Sequence, residues 1–470
     1  MKNLQFILGP FALLIGLFIA QFYPENALQL KALGIIAWMV LWWITEIVAI
    51  PVTALLPLVL FPILGLSELK SIGANYGHPI IFLFMGGFFI AIALEKWQLH
   101  ERFALLILKR TGSSEKGVLA GFIISTAVLS MWISNTACTL MMLPIAQSVL
   151  VYFDKFKSTT SQLPVTLMIA LAAAANIGGF MTLIGTPPNV VMTGLMKELN
   201  YATPDFAEWL AIGIPIGSII LWAVYYLLSN VLFKLSSRSN IEIENTINNK
   251  MSLIGKISSA EKRVLIIFIA TALLWIFKDP INHLLSIELL NDTAIAMFGG
   301  LSLFMVPASK GERPLLEWDD INKMPWGILL LFGGGLNIAL IMENTGIIAL
   351  SGHFIGSFQI NSTLFLILMA TLIALFATEL MSNVALATIL IPVIAAVGVA
   401  LKIEPALLVI PITIACSCAF MMPISTPPNA IVYASGRIKM NEMIRTGIWF
   451  NLIAAIVIAL ISYWVVPLIL

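Results

Sequence analysis

Ser134-Asn135-Thr136 and Thr186-Pro187-Pro188-Asn189 are the residues of this chain whose types and order could do chemistry, and both return as near copies. Trp132-Ile133-Ser134-Asn135-Thr136-Ala137 comes back as Leu380-Met381-Ser382-Asn383-Val384-Ala385, 248 residues on. Gly185-Thr186-Pro187-Pro188-Asn189 comes back as Ser425-Thr426-Pro427-Pro428-Asn429, 240 residues on. Short hydroxyls and an amide can donate to a carboxylate and offer oxygens to a cation such as Na+. Pro187 and Pro188 lack N–H donors, so they cannot close a preceding helix, and the carbonyls near residues 183–185 are freed. Thr186 reads as an N-cap and Pro187 as the first position of a new half-helix. The end of the first half then attracts a cation, and the start of the second attracts an anion.

Neither motif contains Lys or Arg. Binding of a dianion would depend on helix starts, hydroxyl and amide donors, and co-bound cations, which favours cation-coupled uptake over an arginine clamp. One Ser-Asn pair in a membrane helix is often only an interhelical hydrogen bond. Duplication changes that reading, because Gly86-Gly87, Glu95 and Pro144 also recur as Gly334-Gly335, Glu343 and Pro392, each 248 residues later. Interrupted hydrophobic segments in corresponding places of two halves point to a transporter's binding site.

The elements that must position these motifs are membrane helices. Of 470 residues, 60% are hydrophobic and only 10% charged, far below the roughly 25% charged residues of a soluble protein. Irregular backbone inside a bilayer is tolerated only where protein or a water-filled cavity satisfies it. Apolar windows long enough to cross run near 6–23, 30–46, 49–66, 78–95, 208–233, 264–280, 291–308, 325–343 and 446–466. Lys2 and the apolar run 6–22 could form a signal peptide, but no cleavage site precedes Gln21, so a retained first helix is expected. Stretches 163–197 and 405–436 exceed one span and hold the Pro-Pro breaks, so each reads as a broken helix. Stretches 117–152 and 362–400 hold the Ser-Asn motifs near their middles and could be spans or re-entrant hairpins.

Charge decides between those two. With eleven spans, the N-terminus inside and both Ser-Asn segments re-entrant, 20 of the 25 Lys and Arg fall inside. Only Lys31, Lys70, Lys197, Lys278 and Lys402 remain outside. A full crossing by either Ser-Asn segment would invert the basic loops that follow it. Five crossings then separate each feature from its copy, so the halves have inverted topology, with 234–263 as a polar cytoplasmic linker. The N-terminus is expected in the cytoplasm and the C-terminus outside, in a bacterial inner membrane.

Other residues carry less. Glu379 lies directly before the second Ser-Asn motif, where Met131 stands in the first half, and reads as a bundle-internal scaffold or an ion ligand. Glu46, Glu95 and Glu343 read as interfacial. The Gly86-Gly87 and Gly333-Gly334-Gly335 runs suit close helix packing and lack a Walker lysine. Cys138, Cys416 and Cys418 lie in apolar runs and read as free thiols. His78, His100, His283 and His353 are scattered and form neither metal nor triad spacing. No basic patch suggests nucleic acid, and no His-Glu-x-x-His, Ser/His or paired-Asp constellation suggests an enzyme.

With two Ser-Asn hairpin motifs, two Thr-Pro-Pro-Asn breaks and eleven spans, nearly the whole chain resembles the divalent anion/sodium symporter family of dicarboxylate and citrate transporters. The resemblance implies an all-α, homodimeric elevator. Its transport domain would be 117–233 with 362–470, and its scaffold 1–116 with 264–361. It implies one Na+ site at Ser130, Ser134, Asn135 and Gly185, and a second at Thr378, the Met381 main chain, Asn383 and Ser425. It implies substrate contacts from Asn135, Thr136, Asn383 and the Thr186-Pro187 and Thr426-Pro427 starts. Val384 departs from the family's Thr and removes one hydroxyl donor from the second hairpin. Na+-coupled import of a C4-dicarboxylate is the leading expectation, with Na+ as co-transported ion and no organic cofactor. A Na+-independent dicarboxylate or citrate exchanger is the alternative, and a channel or intramembrane enzyme the distant one.

Overall fold

The computed structural model describes residues 2–155, 162–286, 290–309, 313–347 and 362–470, and every named element among them is helical. Nine helices there are long and apolar enough to cross a membrane. Lys157, Lys310, His353 and the expected scaffold residues 348–361 lie outside the described residues. In chain order the helices are α1 Lys2–Phe22, α2 Ala27–Thr45, α3 Ile50–Thr53, α4 Leu56–Ile63, α5 Leu69–Asn75, α6 Pro79–Lys96 and α7 Leu99–Thr111. Next come α8 Glu115–Ser130, α9 Asn135–Lys155, α10 Leu163–Met181, α11 Pro187–Glu198, α12 Phe206–Tyr226, α13 Ile241–Ile254 and α14 Ser259–Leu285. The chain continues with α15 Asp292–Met305, α16 Trp326–Asn344, α17 Thr363–Ala377, α18 Asn383–Leu401, α19 Pro405–Cys416, α20 Pro427–Ala434 and α21 Met440–Ile469.

Local sequence accounts for where these helices begin. Asp205 with Glu208, and Ser258 with Glu261, form reciprocal capping boxes at α12 and α14. Ser114 accepts from Gly117 N at the start of α8. The expected span 49–66 consists of two short helices, α3 and α4, which run from Ile50 to Ile63, about 21 Å at 1.5 Å per residue, with a break just ahead of Pro57, whose ring nitrogen has no N–H to continue the helix. The 234–263 linker is also more than connector. It contains α13, whose Ile243 and Ile247 are buried where it packs on α7 and α9.

Glycine runs set the closest helix contacts. A Cβ on Gly86 would lie 2.4 Å from the Ala296 carbonyl of α15, and one on Gly334 would lie 2.5 Å from the Ala54 carbonyl. The close-packing reading of both runs therefore holds. Lys278, assigned from sequence only to the outer charge tally, is buried between Asp205 at 2.9 Å and Asp292 at 2.8 Å. Asp292 also accepts from Phe206 N, so this triad ties the start of α12 to α14 and α15. Burying a lysine between two carboxylates offsets the desolvation cost of each charge.

Candidate functional site

Each Ser-Asn motif forms the turn between two helices, α8–α9 and α17–α18, and each Pro-Pro motif starts a half-helix, α11 or α20. The four ends meet around one cavity of about 590 Å³. Its wall includes Ser134, Asn135 and Thr136 from the first turn, and Ser382, Asn383 and Val384 from the second. Gly185, Thr186 and Pro187 face it from one break, and Ser425, Thr426 and Pro427 from the other. No Lys or Arg lines it among the described residues.

Behind the wall the two halves build matching oxygen-rich corners. Ser130 Oγ lies 2.9 Å from Asn135 Oδ1 and 2.7 Å from the Ala175 carbonyl. Thr378 Oγ1 lies 2.7 Å from Asn383 Oδ1 and 2.6 Å from the Cys416 carbonyl. In each corner one hydroxyl proton serves two acceptors, leaving oxygen lone pairs over. Gly185 adds to the first corner, because a Cβ there would stand 3.0 Å from both the Ser130 and the Met131 carbonyls and 2.4 Å from that of Gly179. Gly179 in turn lies under Asn135, where a Cβ would be 2.3 Å from Oδ1. Carbonyls and amide oxygens packed this densely suit a small hard cation. Ser130 and Thr378 do not line the cavity, and neither does Met381; the two hydroxyls are buried, each bonded to the asparagine in front of it.

The breaks differ from expectation in their caps. Thr186 is in extended backbone at the start of α11 but makes no side-chain cap, whereas Thr426 accepts from Asn429 N at 3.4 Å. Two prolines remove the first two donors, so only the third N–H of each half-helix is available to its threonine. The freed carbonyls are met by the fourth motif residue, which sequence reasoning left without a role. Asn189 Nδ2 donates to Thr182 O at 2.7 Å and to Phe180 O at 3.3 Å. Asn429 Nδ2 donates to Met422 O at 3.0 Å and Ala419 O at 3.1 Å. Duplication of the asparagine within the motif was the signal that could have found it.

Three further residues line the cavity. Asn176 on α10 lines the cavity and donates across the repeat boundary to Ala419 O at 2.8 Å and Thr426 Oγ1 at 3.3 Å. Trp132 forms part of the wall and is fixed by Phe268, 4.8 Å between ring centroids, and by Phe206 and Trp275. Glu46, an exposed residue in the left-handed conformation that ends α2, also lines the cavity. Glu379 anchors backbone within the bundle, in line with the scaffold reading. It is 2% exposed and accepts from Phe420 N, Met421 N, Met422 N and Asn451 Nδ2. The three cysteines are free and buried, as expected.

Comparison with known proteins places the chain among sodium symporters. The model of the family described as the sodium:sulfate symporter transmembrane region matches residues 7–470. The sodium-dependent dicarboxylate transporter SdcS of Staphylococcus saprophyticus is 37% identical over 472 residues, 98% of this chain and 91% of that protein. Its namesake from Staphylococcus aureus strain USA300 is also 37% identical, over 99% of this chain and 91% of that one. Among solved structures, Neisseria gonorrhoeae MtrF, presented as illuminating a class of antimetabolite efflux pumps, aligns with a TM-score of 0.56. That alignment covers 84% of this chain and 83% of MtrF at 13% identity, a likeness of fold alone.

Proposed function

The chain belongs to the sodium:sulfate symporter family, and from that premise we propose that it imports C4-dicarboxylates such as succinate, fumarate or malate together with Na+. It is an integral membrane transporter and not an enzyme. The observation that supports the substrate class best is the cavity: three amides, several hydroxyls and two half-helix starts converge there without one basic side chain among the described residues. A dianion in such a place needs co-bound cations, and the two oxygen-rich corners behind Asn135 and Asn383 are where Na+ would sit.

In this reading Ser130, Ser134, Asn135 and Gly185 hold one Na+, and Thr378, the Met381 main chain, Asn383 and Ser425 hold the other. Asn135, Thr136, Asn383 and the starts at Thr186-Pro187 and Thr426-Pro427 meet the carboxylates, with Val384 beside the second. Each asparagine serves both ligands, so cation and substrate each complete the other's site. That shared use is the physical basis of coupling.

The moving unit is 117–233 with 362–470, working as an elevator against 1–116 with 264–361 in a homodimer, across eleven spans and two re-entrant hairpins. Packing of α10 on α20 and of α12 on α21 supports a single body made from both transport segments. The protein lies in the plasma membrane with its N-terminus cytoplasmic and its C-terminus outside. Inverted topology has a direct check: cysteines at Lys109 and Lys402, in a background without native cysteines, label from opposite sides. Labelling of both from one side would rule it out.

Uptake of radiolabelled succinate into proteoliposomes, with and without an inward Na+ gradient, tests the function. Saturable uptake that requires the gradient is expected. Uptake unchanged by Na+ but driven by internal dicarboxylate would make the protein an exchanger, and no dicarboxylate uptake at all would sink the reading.

A further inference from the structure

Asn176 makes two hydrogen bonds that neither of its partners depends on. Its side chain is fully buried on α10 and forms part of the cavity wall. Nδ2 donates to the Ala419 carbonyl at 2.8 Å and to Thr426 Oγ1 at 3.3 Å. Asn429 serves both acceptors a second time, through Nδ2 to Ala419 O at 3.1 Å and through its N–H to Thr426 Oγ1 at 3.4 Å. Oδ1 of Asn176 is buried and accepts nothing among the described residues. Ala419 O can only accept, so the amide cannot be turned over to give that oxygen a partner. A buried acceptor left unpaired costs stability, and here it accompanies bonds the fold could lose. Asn176 is therefore a poor structural residue, and its use lies with the cavity it borders.

Thr426 shows what that use is. A hydroxyl has two acceptor lone pairs and one proton to give. Asn176 Nδ2 and Asn429 N together occupy both lone pairs, so Thr426 can act further only as a donor. It lines the cavity at the start of α20, where the half-helix favours a carboxylate. The opposite break has no such lock. Thr186 is uncapped, and Cys416, 240 residues after Asn176, has no amide to lend it. The two turns are unequal in the other direction, since Thr136 offers a hydroxyl to the cavity where the second turn has Val384. The end that lacks a turn hydroxyl is the end whose break hydroxyl is committed to donate.

We infer that Asn176 is a positioning residue for the substrate: it commits the Thr426 hydroxyl to donate into the cavity, where that hydroxyl replaces the donor that Val384 withholds from one carboxylate of the dianion. Asn176 acts through Thr426 and does not itself hold the ligand. The inference rests on the transport reading above and deepens it, because it assigns recognition of one carboxylate to one oriented hydroxyl.

The test is the succinate KM and maximal rate of uptake into proteoliposomes at saturating Na+, with melting temperatures in detergent measured beside them. Asn176→Leu removes the amide at nearly constant volume and leaves both of its partners bonded to Asn429. Its melting temperature should hold or rise, while the succinate KM rises severalfold and the maximal rate is kept. Thr426→Val, which deletes the hydroxyl itself, should raise KM about tenfold, the scale of one hydrogen bond to a charged group. Thr426→Ser keeps the hydroxyl and should stay near wild type. The Asn176→Leu, Thr426→Val double variant should be no worse than Thr426→Val alone, because one residue acts through the other. Val384→Thr should recover the KM lost in Asn176→Leu and gain less in wild type. A lower melting temperature with an unchanged KM in Asn176→Leu would leave Asn176 as plain scaffold and overturn the inference. KM increases that multiply in the double variant, or an equal gain from Val384→Thr in both backgrounds, would overturn it too. If leucine is not accommodated, Asn176→Ala takes its place with the same KM outcomes. A wild type that takes up no dicarboxylate removes the transport reading and this one together, whereas normal wild-type uptake with an unshifted KM in the Asn176 variant removes this one alone.

Discussion

In the first repeat α10 runs to Met181 and leaves only residues 182–186 unwound before α11, whereas in the second α19 stops at Cys416 and leaves residues 417–426. The same sequence motif follows both. The difference lies in how each hairpin turn is tied to its break. In the first repeat Thr182 Oγ1 donates to the Met131 carbonyl at 2.5 Å, one neutral bond between two regular pieces. In the second, position 422 is Met and the tie is the Glu379 carboxylate, which takes the N–H groups an extra helical turn would have used. A helix can end early inside a membrane only if something else satisfies its backbone, and a buried carboxylate is an acceptor strong enough to do so. Pseudo-symmetry of sequence thus coexists with a real asymmetry of backbone and charge.

The most damaging way to probe that comparison is to remove what the halves share. Asn135→Ala and Asn383→Ala should each abolish succinate uptake while thermal stability in detergent stays near wild type. Each amide is proposed to serve two ligands, and a hydrogen bond to a charged group is worth about 1.5–3 kcal/mol. Near-normal uptake in either variant would break the equivalence of the two corners.

A glycine pair sharpens the contrast. Gly179 corresponds to Ala419, so one repeat already carries a methyl where the other has none. Gly179→Ala should displace Asn135, whose Oδ1 is 2.3 Å from the new carbon, and raise half-saturating Na+ severely. Ala419→Gly should cost no more than a small loss of stability. Equal effects of the two on uptake would mean that the first corner is not as tightly built as its carbonyls indicate.

A smaller effect is expected from the first tether. Thr182→Val removes the hydroxyl that reaches Met131 O and should lower stability by about 1 kcal/mol, the usual worth of a neutral hydrogen bond, seen as a reduced melting temperature with uptake retained. Loss of uptake as large as that from Asn135→Ala would show that this tether positions ligands rather than only holding the fold.

The mildest change is Val384→Thr. Val384 lines the cavity where Thr136 stands in the first turn, so a restored hydroxyl adds one donor beside the proposed carboxylate position. Desolvation of that hydroxyl offsets part of the gain, so apparent affinity for succinate, malate or citrate should shift by roughly tenfold or less. Identical affinities for all three would show that residue 384 does not meet the ligand.

The membrane helices, the duplicated motifs and the grouping of both Ser-Asn turns and both Pro-Pro starts as one candidate site were legible in the residues alone. Those follow from composition, from spacing and from proline's missing N–H, all of which are properties of short stretches of chain. Tertiary structure decided the rest, because it depends on contacts between residues far apart in sequence. It placed Glu46 on the cavity wall, and it buried Lys278 between Asp205 and Asp292. It placed Asn176 across the repeat boundary, against Thr426, which is 250 residues away. It also turned Glu379 from a possible ion ligand into a backbone anchor, since a carboxylate's role is set by which donors surround it, and here those donors come from a segment some forty residues downstream that could have been helix.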